Sequence, residues 1–235
     1  MELIISLTIN GLATGMLIFL LAAGVTLIFG LMDVLNFAHG GLFVWGAYTG
    51  IFAYAFTESF TIGIIIALLT GAILGFITEK LIITPVYGNH VQQILITLGL
   101  MIVLSECIKV VFGPNGIPVS VPPLLAGSWE VGNIIIIKYR IFIIVIGFII
   151  YGLFHYILTR TKIGLIVRAG VMNKEMVQAL GINIKRVFLY VFMVGAALAA
   201  LGGVLMAPYS GVIYAEMGME YAILGFIVVV IGGMG

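Results

Sequence analysis

The stretch Asp33-Val34-Leu35-Asn36-Phe37-Ala38-His39-Gly40-Gly41 places a carboxylate, a carboxamide and an imidazole inside an otherwise uncharged apolar sequence. No Asp, Glu, Lys or Arg occurs from Leu3 to Met32, nor from Val34 to Thr57. Runs of that length and apolarity belong in a bilayer. Polar groups are costly there and mark a functional site by default.

The rest of the chain has the same character. It is 63% hydrophobic and 8% charged, with a mean hydropathy of +1.32. Soluble domains average about 25% charged residues, so the composition requires a polytopic, all-α transmembrane helix bundle. A net charge of +1 argues against a nucleic-acid partner. Cys107 is the single cysteine and cannot form an intrachain disulfide. Met1-Glu2-Leu3 has no basic region, and the apolar run behind it is too long for a signal-peptide core. Ile227–Gly235 is apolar without a polar flank, so the natural chain is expected to continue beyond it.

A spanning helix needs about 20 apolar residues. The charge-poor stretches supply about seven segments: Leu3–Met32, Leu35–Thr57, Ser59–Thr78, Gln92–Phe112, Ile141–Leu158, Val187–Ala207, and one from Tyr221 onward. The first would be roughly 45 Å long at 1.5 Å per residue. That exceeds a hydrocarbon core of about 30 Å, so it should project into the interface or bend near Gly11, Gly15 or Gly24. Residues 1–235 form one transmembrane domain.

The loops give the sidedness. Arg160–Arg186 carries Arg160, Lys162, Arg168, Lys174, Lys185 and Arg186 against Glu175 alone, and the positive-inside rule puts it in the cytoplasm. Alternation places Gly113–Tyr139 and Pro208–Glu220 outside and Glu79–Gln92 inside. The first of these reads as a small external β-hairpin at about 128–138, with Gly132-Asn133 as its two-residue turn. If both segments before it cross fully, the N-terminus lies outside. A break at Asp33–His39 would instead return it inside.

Within the basic loop, Asn173–Leu180 reads as a short helix. Asn173 is a good N-cap and Gly181 the expected residue just past the end. Met172, Met176, Val177 and Leu180 fall at helical spacing as one apolar face. So short a helix is marginal alone. It must bury that face on its own bundle, on the membrane surface, or in a partner's groove.

Asp33, Asn36 and His39, three apart, would share one face of a helix. That stripe is either a translocation path or gate, or local architecture in which these groups cap and cross-link neighbouring helices. Gln92, Gln93 and Thr97 at the inner end of the fourth segment are further path residues on the same argument. Glu106 and Lys109 are expected to pair. His39, His90 and His155 have no metal-ligand spacing, and Trp129, Tyr151 and Tyr156 suit interfacial belts.

Three stretches carry a resemblance. Gly24-Val-Thr-Leu-Ile-Phe-Gly30 runs through Asn36-Phe-Ala-His-Gly40 to Gly46-Ala-Tyr48. Thr159-Arg-Thr-Lys-Ile-Gly164 is followed by Arg168-Ala169, Leu180-Gly-Ile-Asn183 and Arg186-Val187. Met217-Gly-Met-Glu-Tyr221 precedes Gly232-Gly-Met-Gly235. Together they span nearly the whole chain and resemble permease subunits of high-affinity branched-chain amino acid ABC importers. Such permeases dock on their ATPases through a Glu-Ala-Ala, three residues, Gly loop. Glu175 and Gly181 keep that spacing here, while Met176 and Val177 replace the alanines.

The resemblance implies a transport subunit of a prokaryotic inner membrane with no enzymatic activity of its own. Two ABC ATPase subunits would hold ATP and Mg, since no Gly-x-x-x-x-Gly-Lys-Ser/Thr occurs here. A second homologous permease and an external binding protein would complete the importer. This chain would bind no cofactor. Asn173, Glu175, Met176, Val177, Leu180 and Gly181 would form the ATPase contact. Relatives carrying other amino acids, amides or urea share the resemblance. An ion-coupled transporter using Asp33 and His39 as a proton pair is the reading of a different class.

Overall fold

The computed structural model describes residues 2–131 and 134–232. Nine helices carry most of them: α1 Glu2–Met32, α2 His39–Thr57, α3 Phe60–Thr78, α4 His90–Phe112, α5 Lys138–Arg160, α6 Lys162–Met172, α7 Lys174–Ala179, α8 Ile184–Ser210 and α9 Met217–Gly232. Two small antiparallel sheets complete the described structure. β1 Ile117–Pro118 pairs with β4 Val212–Ile213, and β2 Ser128–Val131 pairs with β3 Ile134–Ile137. The second is the expected hairpin. Its Gly132-Asn133 turn lies outside the described residues.

All seven expected membrane segments are helical. Five are long and apolar enough to cross a bilayer: α1, α3 with its continuation to Val86, α4, α5 and α8. Of the other two, α2 is long enough at 19 residues but less apolar, and α9 is shorter at 16 residues. Both begin inside the bundle. His39 opens α2 at the level of Leu21, eleven residues before the end of α1. Gly218, at the start of α9, packs on Gly40.

Sequence punctuation sets the boundaries. Asn89, Thr161, Asn173 and Asn183 each accept a backbone N–H from the first turn of the helix they precede, which satisfies a donor that would otherwise be orphaned. Glu58 ends α2 in a left-handed turn at φ 55°, its N–H bonded to the Tyr54 carbonyl.

The centre of the bundle is α2 against α8, with α1, α3 and α9 around them. Small residues allow this. A Cβ on Gly46 would meet the backbone of Ala200, and one on Gly203 would meet the Phe43 carbonyl. With no hydrophobic force separating helix from lipid tail, such close backbone approach is what drives association in a bilayer. By contrast α4 and α5 lie at the rim, with few residues buried.

The two ends of the bundle differ in character. One carries the hairpin, the β1–β4 pair and the start of α1, where Arg140 donates to Asn10. The other carries the basic loop. There Lys174 Nζ donates to the Met32 carbonyl at 3.4 Å, and Tyr87 packs on Phe188. Glu79–Gln92 therefore lies at the basic end, as alternation requires. The chain starts at the opposite end, so α1 runs the full length of the bundle.

Candidate functional site at an interrupted helix

Between α1 and α2 the chain is not helical: residues 33–36 carry no regular secondary structure, and Phe37 and Ala38 form a turn. The expected helical stripe of Asp33, Asn36 and His39 therefore does not form. Asp33 is left-handed at φ 58° and its N–H closes α1 on the Phe29 carbonyl at 2.8 Å. Asp is one of the few residues that tolerate this conformation, and it turns the chain back into the bundle.

The three polar side chains then occupy three different environments. Asp33 is exposed at the basic end, its carboxylate 3.6 Å from His90 Nε2. Asn36 is buried, and neither its Oδ1 nor its Nδ2 has a partner. His39 is fully buried, with Nε2 3.3 Å from the Leu21 carbonyl and Nδ1 unpartnered. The imidazole fits because Gly24 and Gly195 face it. A Cβ on Gly24 would come within 2.8 Å of His39 Nε2 and 2.5 Å of the Gly195 carbonyl. His39 thus wedges the start of α2 into the crossing of α1 and α8.

The other side of the interrupted segment rests on α4. Buried Thr97 accepts the Phe37 N–H at 3.2 Å, and its hydroxyl sits 2.7 Å from the Gln93 carbonyl. One side chain therefore holds the interrupted backbone to a continuous helix. Gln93, one turn earlier, is buried. Its Nε2 donates to the Val86 carbonyl at 3.2 Å while Oε1 has no partner. Gln92 is exposed and stands apart from this group. The structure brings Asn36, His39, Gln93 and Thr97 to the interruption, leaving Asp33 at its mouth and Gln92 outside.

Among the described residues, the buried side-chain nitrogens and oxygens without a partner are Asn36 Oδ1 and Nδ2, His39 Nδ1 and Gln93 Oε1. Asn36 and His39 belong to this segment, and Gln93 lies one turn before Thr97 on α4. A buried polar group without a partner costs about 1–3 kcal/mol.

In the basic loop, α7 is the expected short helix. Asn173 Oδ1 accepts the Met176 N–H at 2.9 Å, and Gly181 at φ 81° ends it, with the Ile182 N–H returning to the Val177 carbonyl at 3.3 Å. The expected single apolar face is divided. Val177 is buried in the bundle, whereas Met172, Met176 and Leu180 are 88%, 59% and 73% exposed. Val177 anchors the helix, while Met176, Leu180 and Met172 at the end of α6 face outward beside exposed Glu175. Met176 and Leu180, four apart, lie on one row, whereas Val177 is about 100° round the axis from Met176.

Two further polar groupings depend on residues that are distant or inconspicuous in the sequence. Glu79, in a π-helical turn at Glu79–Ile83, is buried and accepts from Tyr87 Oη at 2.7 Å and Thr84 Oγ1 at 3.2 Å. Burial, with the Glu79 carboxylate beside it, raises the Tyr87 phenol above its ordinary range. The sequence signal was only an acid closing an apolar run. At the other end Lys109 pairs with Glu106 at 2.8 Å, as expected, and also with Glu216 at 2.7 Å. No local pattern links Lys109 to Glu216.

An interrupted, glycine-packed bundle with a capped helix displayed at its basic end is an architecture for membrane transport. A family model described as branched-chain amino acid transport system / permease component matches residues 7–235. The chain belongs to this family. It is a multi-pass inner-membrane permease. The permease is 30% identical over 243 residues to the high-affinity branched-chain amino acid transport system permease protein BraD of Pseudomonas aeruginosa, covering 97% of this chain and 78% of that protein. It is 28% identical over 241 residues to LivH of Escherichia coli, with 96% and 78% covered. A tyrosine transport system permease protein of Clostridioides difficile is 26% identical over 227 residues, with 95% and 72% covered. No solved structure matches the permease.

Proposed function

We propose that this permease is the membrane-spanning subunit of an ATP-driven importer that translocates branched-chain amino acids delivered by an external binding protein. Two ATPase subunits and a second permease chain complete the assembly. The observation that carries this reading is α7. It is a pre-formed helix, held by Asn173, Val177 and Gly181, that directs Met176 and Leu180 away from its own bundle, next to exposed Met172 at the end of α6. A short helix with exposed apolar anchors suits a groove in a partner. ATP-dependent closure of that partner supplies the differential binding that any conformational shift requires. In this reading Glu175 flanks the anchor set.

The gate is the segment at Asn36 and His39. Its buried polar groups, Asn36 and His39, are available to form different contacts when the helices shift. Lys174 joins α7 to the bundle, bonded to the last carbonyl of α1 and stacked 5.7 Å over Phe188 of α8. Thr97 holds the segment from the α4 side, Gln93 one turn earlier is bonded to Val86, and Asp33 and Gln92 stand nearer the basic exit.

Transport into vesicles with trapped ATP and a protonophore tests the class. Uptake should require ATP and survive the protonophore. Uptake that ignores ATP and collapses with the protonophore favours the ion-coupled reading, with Asp33 and His39 as its proton pair. Competition among Leu, Ile, Val and Tyr, tested on the cognate binding protein, decides the substrate. The named tyrosine relative makes Tyr the informative competitor. Glu175→Arg should uncouple ATPase stimulation from the binding protein. Unchanged stimulation would mean that α7 only packs on its own chain.

A further inference from the structure

We infer that the basic end carries a binding site for the headgroup of an anionic phospholipid, in the groove between the π-helical turn after α3 and the first turn of α8. Glu79, Lys80, Thr84, Asn183, Lys185, Arg186 and Leu189 line this groove, whose volume is about 240 Å³. The fold brings Lys80 to Lys185 and Arg186 from about a hundred residues away in the chain. Among the described residues, none of the three has a carboxylate within 4 Å. The one acid in the groove, Glu79, is buried, and its Oε1 is already engaged by Tyr87 and Thr84. Three exposed cations thus share a concavity with no ion pair among them.

A phosphate would be recognised here by the Arg186 guanidinium, which can take two oxygens in a planar fork, with the ammonium groups as point charges. The surroundings select a lipid over a soluble anion. Lys80 lies back over the Phe76 ring at 5.2 Å from its centre, as a side chain does when its stem follows an apolar surface. Ile77 and Leu81, which neighbour Lys80 in the chain, and Tyr190, which follows Leu189, are 40%, 66% and 63% exposed, an apolar surface suited to acyl chains. Cations at the ends of membrane helices with such a surface beside them fit an anionic headgroup.

Native mass spectrometry of the full-length chain in detergent, titrated with phosphatidylglycerol or phosphatidylcholine, tests this. Phosphatidylglycerol should be retained preferentially. Each of Lys80→Gln, Lys185→Gln and Arg186→Gln should weaken retention about fivefold, while Lys162→Gln on α6 leaves it unchanged. Soluble glycerol phosphate should not compete at millimolar concentration. Equal retention of both lipids, equal loss in the Lys162 variant, or full competition by glycerol phosphate would each overturn the proposal. These readouts do not involve transport, so they stand or fall apart from the importer reading.

Discussion

Helices α2 and α5 are both apolar, yet they occupy opposite environments. α2 buries eleven of its 19 residues, from His39 to Ile51, at the centre of the bundle. α5 has 23 residues and buries Tyr139, Ile143 and Gly147. Apolarity does not explain this, because the buried helix is the less apolar of the two: α5 is apolar enough to cross a bilayer, whereas α2 falls short. Small residues do: Gly40, Gly41, Gly46 and Gly50 bring α2 against α4, α8 and α9 with no room for a Cβ, whereas Gly152 of α5 has open space around it. In a bilayer, apolarity only places a helix in the membrane. Close approach decides which helix becomes the core.

The largest test of this contrast is Gly46→Leu beside Gly152→Leu. The first forces a side chain into the Ala200 backbone and should cost about 3 kcal/mol or more, seen as loss of monodisperse protein on size exclusion. The second should stay within about 0.5 kcal/mol. If both behave alike in thermal melts, glycine packing does not explain the centre.

Tyr139 is where α5 does enter the core, its hydroxyl donating to the Leu205 carbonyl at 2.7 Å. Tyr139→Phe should lower stability by about 1 kcal/mol, measured as a reduced melting temperature. A neutral result would leave α5 held by its rim contacts alone.

Asn36→Leu should act in the opposite sense. It removes a buried carboxamide with two unpartnered atoms, so stability should be unchanged or rise by about 1 kcal/mol, while uptake in vesicles falls sharply. Lower stability together with failed assembly would make Asn36 a structural residue that sharpens the α2 junction and has no part in a gate.

The smallest effect concerns the tether between rim helix α4 and the start of α9. The Lys109 ammonium holds the Glu216 carboxyl below its usual 4.5. The folded value is depressed, so the contribution is present above the unfolded value and fades as pH falls through the folded one. Both side chains are partly exposed, so the gain is slight. Melting temperature should drop a little more below pH 4.5 in the native chain than in Glu216→Gln. Parallel pH curves would remove the tether from the account.

Much of the architecture was legible from residue order. The seven segments, the hairpin strands, the short capped helix after Asn173 and the Glu106–Lys109 pair all follow from local rules. The site was legible only in part. Asn36, His39, Gln93 and Thr97 were visible as polar groups at unusual depth, but three-residue spacing suggested a helical stripe, and the chain is not helical from residue 33 to 38. The left-handed backbone at Asp33 and a hydroxyl on another helix, Thr97, set that break. The second has no signature in the segment itself. The division of the α7 face, with Val177 inward and Met176 and Leu180 outward, was equally hidden, because periodicity describes a helix and not its neighbours.

What the sequence determined by itself was the solvent: long uncharged runs exclude water, and the surplus of Lys and Arg in one loop distinguishes the two ends. What only tertiary structure decided was which polar groups meet and which remain without partners. Hydrophobic burial follows from composition, because it is non-directional. Hydrogen bonds and backbone contacts act over a few ångströms, so the pairing of Thr97 with Phe37, of Lys109 with Glu216, and of His39 with the Gly24–Gly195 crossing arises only once the helices have packed.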